Sequence, residues 1–140
     1  VETSDVLDTI GSLVSQLKAY AAKLPAVVPM SVVPGGIKPK EESIEAFEKT
    51  VYRFRTQSGA SIYKRLNDLF IESLEAFECG NLLSSVQPLL AVLDHLEQMQ
   101  RDKEIQASPV DEKRMGEYRT ALNKILPGSK PELEGAGRGL

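Results

Sequence analysis

Tryptophan is missing from the 140 residues, and phenylalanine and tyrosine hold the aromatic fraction to 6%. A core must therefore be built from Leu, Ile, Val and Ala, which favours packed helices over a β-sandwich that spends aromatic and β-branched residues on strands. Cysteine and histidine occur once each, at Cys79 and His95. A single cysteine closes neither an intrachain disulfide nor a cysteine-based zinc site. No Asn-x-Ser/Thr acceptor occurs either, and both absences point to a reducing, cytoplasmic or otherwise intracellular setting. No apolar run reaches the roughly 18 residues of a membrane span. The chain opens on Val1, which reads as a processed form or an excised piece, and a cleaved signal peptide would leave no trace.

The composition that remains, 41% hydrophobic and 26% charged, is that of an ordinary globular chain. Its length suits one domain that buries roughly 70% of its unfolded surface. A net charge of −3 argues against a general nucleic-acid binder, which is basic as a whole domain.

Periodicity predicts a helix over residues 3–24. Val6, Ile10, Leu13, Leu17, Tyr20 and Leu24 recur in alternating steps of four and three, widened by Leu7, Val14 and Ala21. This heptad stripe is what a left-handed bundle requires. Asp5 and Asp8 are expected in the first turn, where the helix dipole favours negative charge. Gly11 costs about 1 kcal/mol relative to Ala, which the stripe offsets. Residues 25–40 hold four prolines and a Gly-Gly pair, so they read as a long extended linker. Fully stretched, it could reach about 50 Å, enough to return along the bundle or to carry the first helix to another molecule.

Four further helices follow. One is expected over 41–57, with Ile44, Phe47, Val51 and Phe54 inward, and Ser58-Gly59-Ala60-Ser61 then marks a break or kink. The next spans 61–78 on Ile62, Leu66, Leu69, Phe70, Leu74 and Phe77, with Gly80 as left-handed cap. The fourth runs over 85–105 with Pro88 in its first turn; if Leu82 and Leu83 are also helical, Pro88 produces a kink instead. Its inward residues are Val86, Leu89, Leu90, Leu93, Leu96 and Met99. Ser108, Pro109 and Asp111 form an N-terminal cap for a fifth helix that buries Met115, Tyr118, Leu122 and Ile125 and runs to Leu126. Residues 127–140 read as a disordered tail. The expected fold is an all-α, four- to five-helix antiparallel bundle forming one domain over 1–126, with the long Pro/Gly-rich loop after the first helix.

Catalytic groups are scarce. His95 lies two positions past Leu93, about 200° around the helix, so it should face water. Di-iron bundles use Glu-x-x-His on two helices, but the third residue before His95 is Val92 and no second histidine exists. Asp68, Glu72 and Glu75 share one helical face, which reads as a solvated acidic surface more readily than a cation site. The tail glycines follow no strand and form no dinucleotide fingerprint. Cys79 stands among Glu75 and Glu78, an unfavourable setting for a reactive thiol. No enzyme activity, metal or cofactor is expected.

Two features could carry function. Residues 49–65 contain Lys49, Arg53, Arg55, Lys64 and Arg65 and no acid, a charge of +5 against −8 for the remainder. Guanidinium groups beside a fresh helix start suit a phosphate or carboxylate, with Tyr52 and Tyr63 interleaved for stacking. The bland reading is a basic rim that balances Glu45, Glu48 and Asp68. The second feature is the first helix on its tether, either plain core or an exchangeable wall whose departure would open a groove for another amphipathic helix. The expected function is a non-enzymatic protein–protein interaction module (scaffold, adaptor or subunit) that binds another protein through a helical surface or groove. The alternative is a phosphate-directed binder of nucleic acid, anionic lipid or a phosphorylated partner. Homo-oligomerisation is left open.

Overall fold

The computed structural model describes residues 2–22 and 39–125, among which there are five α-helices, one 3₁₀ turn and no strand. Most of the expected linker and all of the expected tail lie outside the described residues. The helices are α1 (Thr3–Ala21), α2 (Glu41–Ser58), α3 (Asn67–Glu78), α4 (Leu82–Arg101) and α5 (Pro109–Ile125), with the 3₁₀ turn at Ile62–Leu66. The all-α bundle expected from periodicity is what the chain forms.

α1 sits at its centre. Nine of its nineteen residues are buried, and Val6, Leu7, Ile10, Leu13 and Leu17 are fully so. A helix buried over so wide an arc has neighbours on several sides, and α1 packs on α2, α4 and α5. Its start is fixed by the Asp5 carboxylate, which accepts from the Glu2 amide at 2.8 Å. Asp8 lies beyond the first turn, contrary to expectation, and reaches across to α5 at Arg114.

Contacts along the helices set their directions. The Gln16 amide donates to Thr50 at 3.3 Å, linking α1 to α2. At the far end of α1, Tyr20 packs edge-on against Phe77 and donates to the Gly80 carbonyl, while Phe47 stacks on the same Phe77. α2 therefore begins at the end of the bundle where α1 finishes. α1 packs within its own bundle, against α2, α4 and α5. α2 and α3 run antiparallel, with Phe47 on Phe77 at one end and Phe54 on Phe70 at the other. α4 returns beside α3, where the Ser73 hydroxyl donates to the Ser85 carbonyl at 2.7 Å. α5 then runs antiparallel to α4 and parallel to α1, across the seam between them.

The break expected over residues 58–61 forms: α2 and α3 are separate, because Gly59 adopts φ 48° and turns the chain. Three boundaries differ from expectation. The first turn of the expected third helix winds as 3₁₀, with the Lys64 amide bonded to the Ser61 carbonyl. Its three-residue period brings Tyr63 and Leu66 onto the same buried side. α4 starts at Leu82 because the Asn81 side chain caps the Ser84 amide at 3.1 Å. Pro88 consequently lies inside the helix and leaves the Ser84 carbonyl without its usual donor. α4 also ends early, at Arg101 rather than near 105.

Both ends of the α3–α4 pair close alike. After α3, Asn81 donates back to Ala76 and Gly80 to Phe77, with Gly80 at φ 75°. After α4, Glu104 donates to Met99 and Lys103 to Gln100, with Lys103 at φ 62°. Each is a Schellman closure, the second built on a residue that carries a Cβ. The cap read at Ser108 forms as expected: its hydroxyl accepts from the Asp111 amide and the Asp111 carboxylate accepts from the Ser108 amide, both at 3.1 Å.

Candidate binding surface

α2 buries Phe47, Thr50, Val51, Phe54 and Ser58. At about 100° per residue, those positions define one face, and Lys49, Tyr52, Arg53 and Thr56 fall within an arc of about 100° on the opposite side. All four are exposed. Arg55 is exposed as well but stands about 200° from Arg53, beside the core face and in the last turn, where the helix dipole favours a cation. Lys64 and Arg65 belong to the 3₁₀ turn and are likewise exposed. The five cations are thus all at the surface, distributed over three stations: the outer face of α2, its flank, and the turn.

Arg65 is paired with Glu104 at 3.4 Å. Lys49, Arg53, Arg55 and Lys64 have no carboxylate within ion-pair distance among the described residues. Glu45, Glu48 and Asp68, the acids a balancing rim would use, do not pair with them. The two tyrosines diverge. Tyr52 is 42% exposed, whereas Tyr63 is buried and its hydroxyl is bonded to Thr3 at 2.7 Å. Thr3 also donates to the Gln106 carbonyl at 2.7 Å, so Tyr63 ties the start of α1 to the turn and to the α4–α5 connection. It holds structure and offers no ring for stacking.

The fresh helix start expected beside these cations opens as the short 3₁₀ turn, which runs straight into α3, where the Asn67 amide is bonded to the Lys64 carbonyl.

His95 and Cys79 are both exposed, on α4 and after α3. Asp68, Glu72 and Glu75 are exposed on α3, and among the described residues no three His, Cys, Asp or Glu side chains stand together as a metal set. No helix among the described residues is long and apolar enough to cross a membrane.

The polar feature that spacing did not reveal lies on α5. Arg114 pairs with Asp8 of α1 at 2.7 Å and also donates to the Tyr118 hydroxyl. Arg119 reaches Asp94 and Glu97 of α4 at 2.9 and 3.0 Å. For both guanidiniums burial pulls the pKa down, but hydrogen bonds, to Tyr118 and Asp8 or to Glu97 and Asp94, carry it above the ordinary arginine value. Both stay cationic throughout the working pH range. Only the Arg114–Tyr118 spacing of four residues was visible in advance; the partners on α1 and α4 depend on tertiary packing. Compared with models of protein families, with characterised proteins and with solved structures, the chain matches none.

Proposed function

We propose that this chain is a non-enzymatic protein–protein interaction module, a scaffold, adaptor or subunit, that meets its partner through the outer face of α2. The observation that carries this reading is Tyr52, a large side chain 42% exposed, set between the unpaired cations Lys49 and Arg53. Tyrosine and arginine are the residues most enriched at the energetic centres of protein interfaces. The core itself leaves little to bind with, since Val110 is the only other large hydrophobic side chain exposed among the described residues.

The test is capture from native cell extract with the wild-type chain and with a Tyr52→Ala, Arg53→Glu variant, each checked for helix content. A partner retained by the wild type and lost by the variant supports the reading. An identical captured set sinks it.

The alternative of a phosphate-directed binder rests on four cations without acidic partners in an otherwise acidic chain. Arg53 and Arg55 point to different sides of α2, so they do not converge on one phosphate, and the attraction would be diffuse. Binding to nucleic acid or anionic vesicles at low salt, falling steeply with salt and with Arg53→Glu, Arg55→Glu, would favour this alternative.

A further inference from the structure

α5 is attached differently from the other helices. Only Met115 and Leu122 are buried among its seventeen residues, against nine in α1. Gly116 lies mid-helix with nothing within 4 Å of where a Cβ would stand, so it weakens the helix without any packing reason. Three of the four ion pairs among the described residues end on α5. The Gln100 amide adds a hydrogen bond to Glu112. The carboxylates all belong to the walls, Asp8 on α1 and Asp94 and Glu97 on α4, while α5 brings the guanidiniums.

We infer that α5 is a latch opening separately from the α1–α4 bundle, and that the acid-rimmed seam it vacates receives a basic amphipathic helix from a partner protein. Such a helix would carry two arginines five residues apart, as Arg114 and Arg119 are, and an apolar pair seven apart, as Met115 and Leu122 are. The complementarity is already displayed by the resident helix. The connection is pinned as far as Gln106, by the closure at Lys103 and Glu104, the Arg65–Glu104 pair and the Thr3 hydroxyl, so α5 swings about Ala107 and Ser108 while α4 stays in place. Exposed ion pairs weaken as the screening length falls from about 10 Å at 0.1 M salt to about 3 Å at 1 M, so ionic strength sets how often the latch opens. The seam lies apart from the outer face of α2, and its fate does not depend on the reading given for that face.

Two measurements test this on the full chain. Hydrogen exchange should show α5 amides exchanging at least tenfold faster than those of α1, with the gap widening at 0.5 M NaCl. Equal protection of α1 and α5 would overturn the latch. For the seam, the probe is a labelled synthetic peptide of residues 108–125, titrated against wild type and against Leu122→Glu. The variant should bind at least tenfold more tightly than wild type, because its own α5 no longer competes. Binding should be lost when Asp94→Arg and Glu97→Arg are added. If Leu122→Glu loses the helix content of the bundle, Arg114→Glu with Arg119→Glu serves in its place. No binding to a folded variant, or equal binding to both chains, overturns the seam. A wild-type dimer exchanging α5 between copies would assign the seam to a second copy and overturn the partner assignment.

Discussion

Gly11 is the residue whose role changed most between sequence and structure. In the sequence it is a propensity loss on an otherwise strong helix; in the fold it is the floor on which Tyr118 rests. A Cβ at Gly11 would stand 2.5 Å from the Tyr118 hydroxyl oxygen and 2.9 Å from the ring carbon that bears it. Alanine would gain about 1 kcal/mol of helix propensity, while overpacking costs about 1–3 kcal/mol. Tyr118 cannot move aside cheaply, because its hydroxyl accepts from Arg114, which is itself held by Asp8. Gly11→Ala should therefore destabilise by about 1 kcal/mol net, and urea unfolding of Gly11→Ala and of Gly11→Ala, Tyr118→Leu should show the loss relieved in the double variant. Tyr20 supplies a second test at this scale. Burial raises its pKa above 10.0, so the unfolded chain releases this proton first. The stability tied to the neutral phenol is full below pH 10 and is lost as pH rises through the folded value. Tyr20→Phe should flatten the fall in stability that urea melts record as the pH rises above 10.

The two Schellman closures offer a matched comparison at the level of the helix. Gly80 and Lys103 occupy equivalent left-handed positions at φ 75° and 62°. A Cβ in that region costs about 1 kcal/mol. Gly80→Ala should lose about that much and Lys103→Gly should gain it, read as opposite shifts in thermal midpoint. The same pair shows what a sequence can disclose about helix ends. Gly80 announces its cap by identity, whereas nothing about Lys103 marks it, and the expected helix accordingly ran on towards Ile105. Pro88 points to a later start for α4, yet the Asn81 side-chain cap at the end of a tight turn outweighs the position of a proline. Interior stripes were legible because burial follows period: Phe47, Val51 and Phe54, or Leu66, Phe70, Leu74 and Phe77, lie where counting puts them. The basic surface was legible as charge and only in part as geometry. That Arg53 and Arg55 diverge follows from their two-residue spacing on the expected helix; only the fold shows that Tyr63 is committed to Thr3 and that the Asn67 amide is already bonded.

For the molecule as a whole, the helix that looked separable and the helix with the fewest buried side chains are different ones. Deleting residues 1–22 removes nine buried side chains from the centre, and circular dichroism should show cooperative loss of helix. Truncation after residue 108 removes two and should leave a folded four-helix remainder with a lower midpoint. Loss of all structure in the second case, or its retention in the first, would reverse this ranking.

The parallel pairing of α1 with α5 also bears on how the chain is made. Asp8 and Arg114 are 106 residues apart, and at about 5–20 residues per second of synthesis roughly 5–20 s pass between them. α1 thus leaves the ribosome well before α5, the helix that covers one of its sides. During that interval the side of α1 that α5 covers stays open, and slow translation lengthens the risk of aggregation.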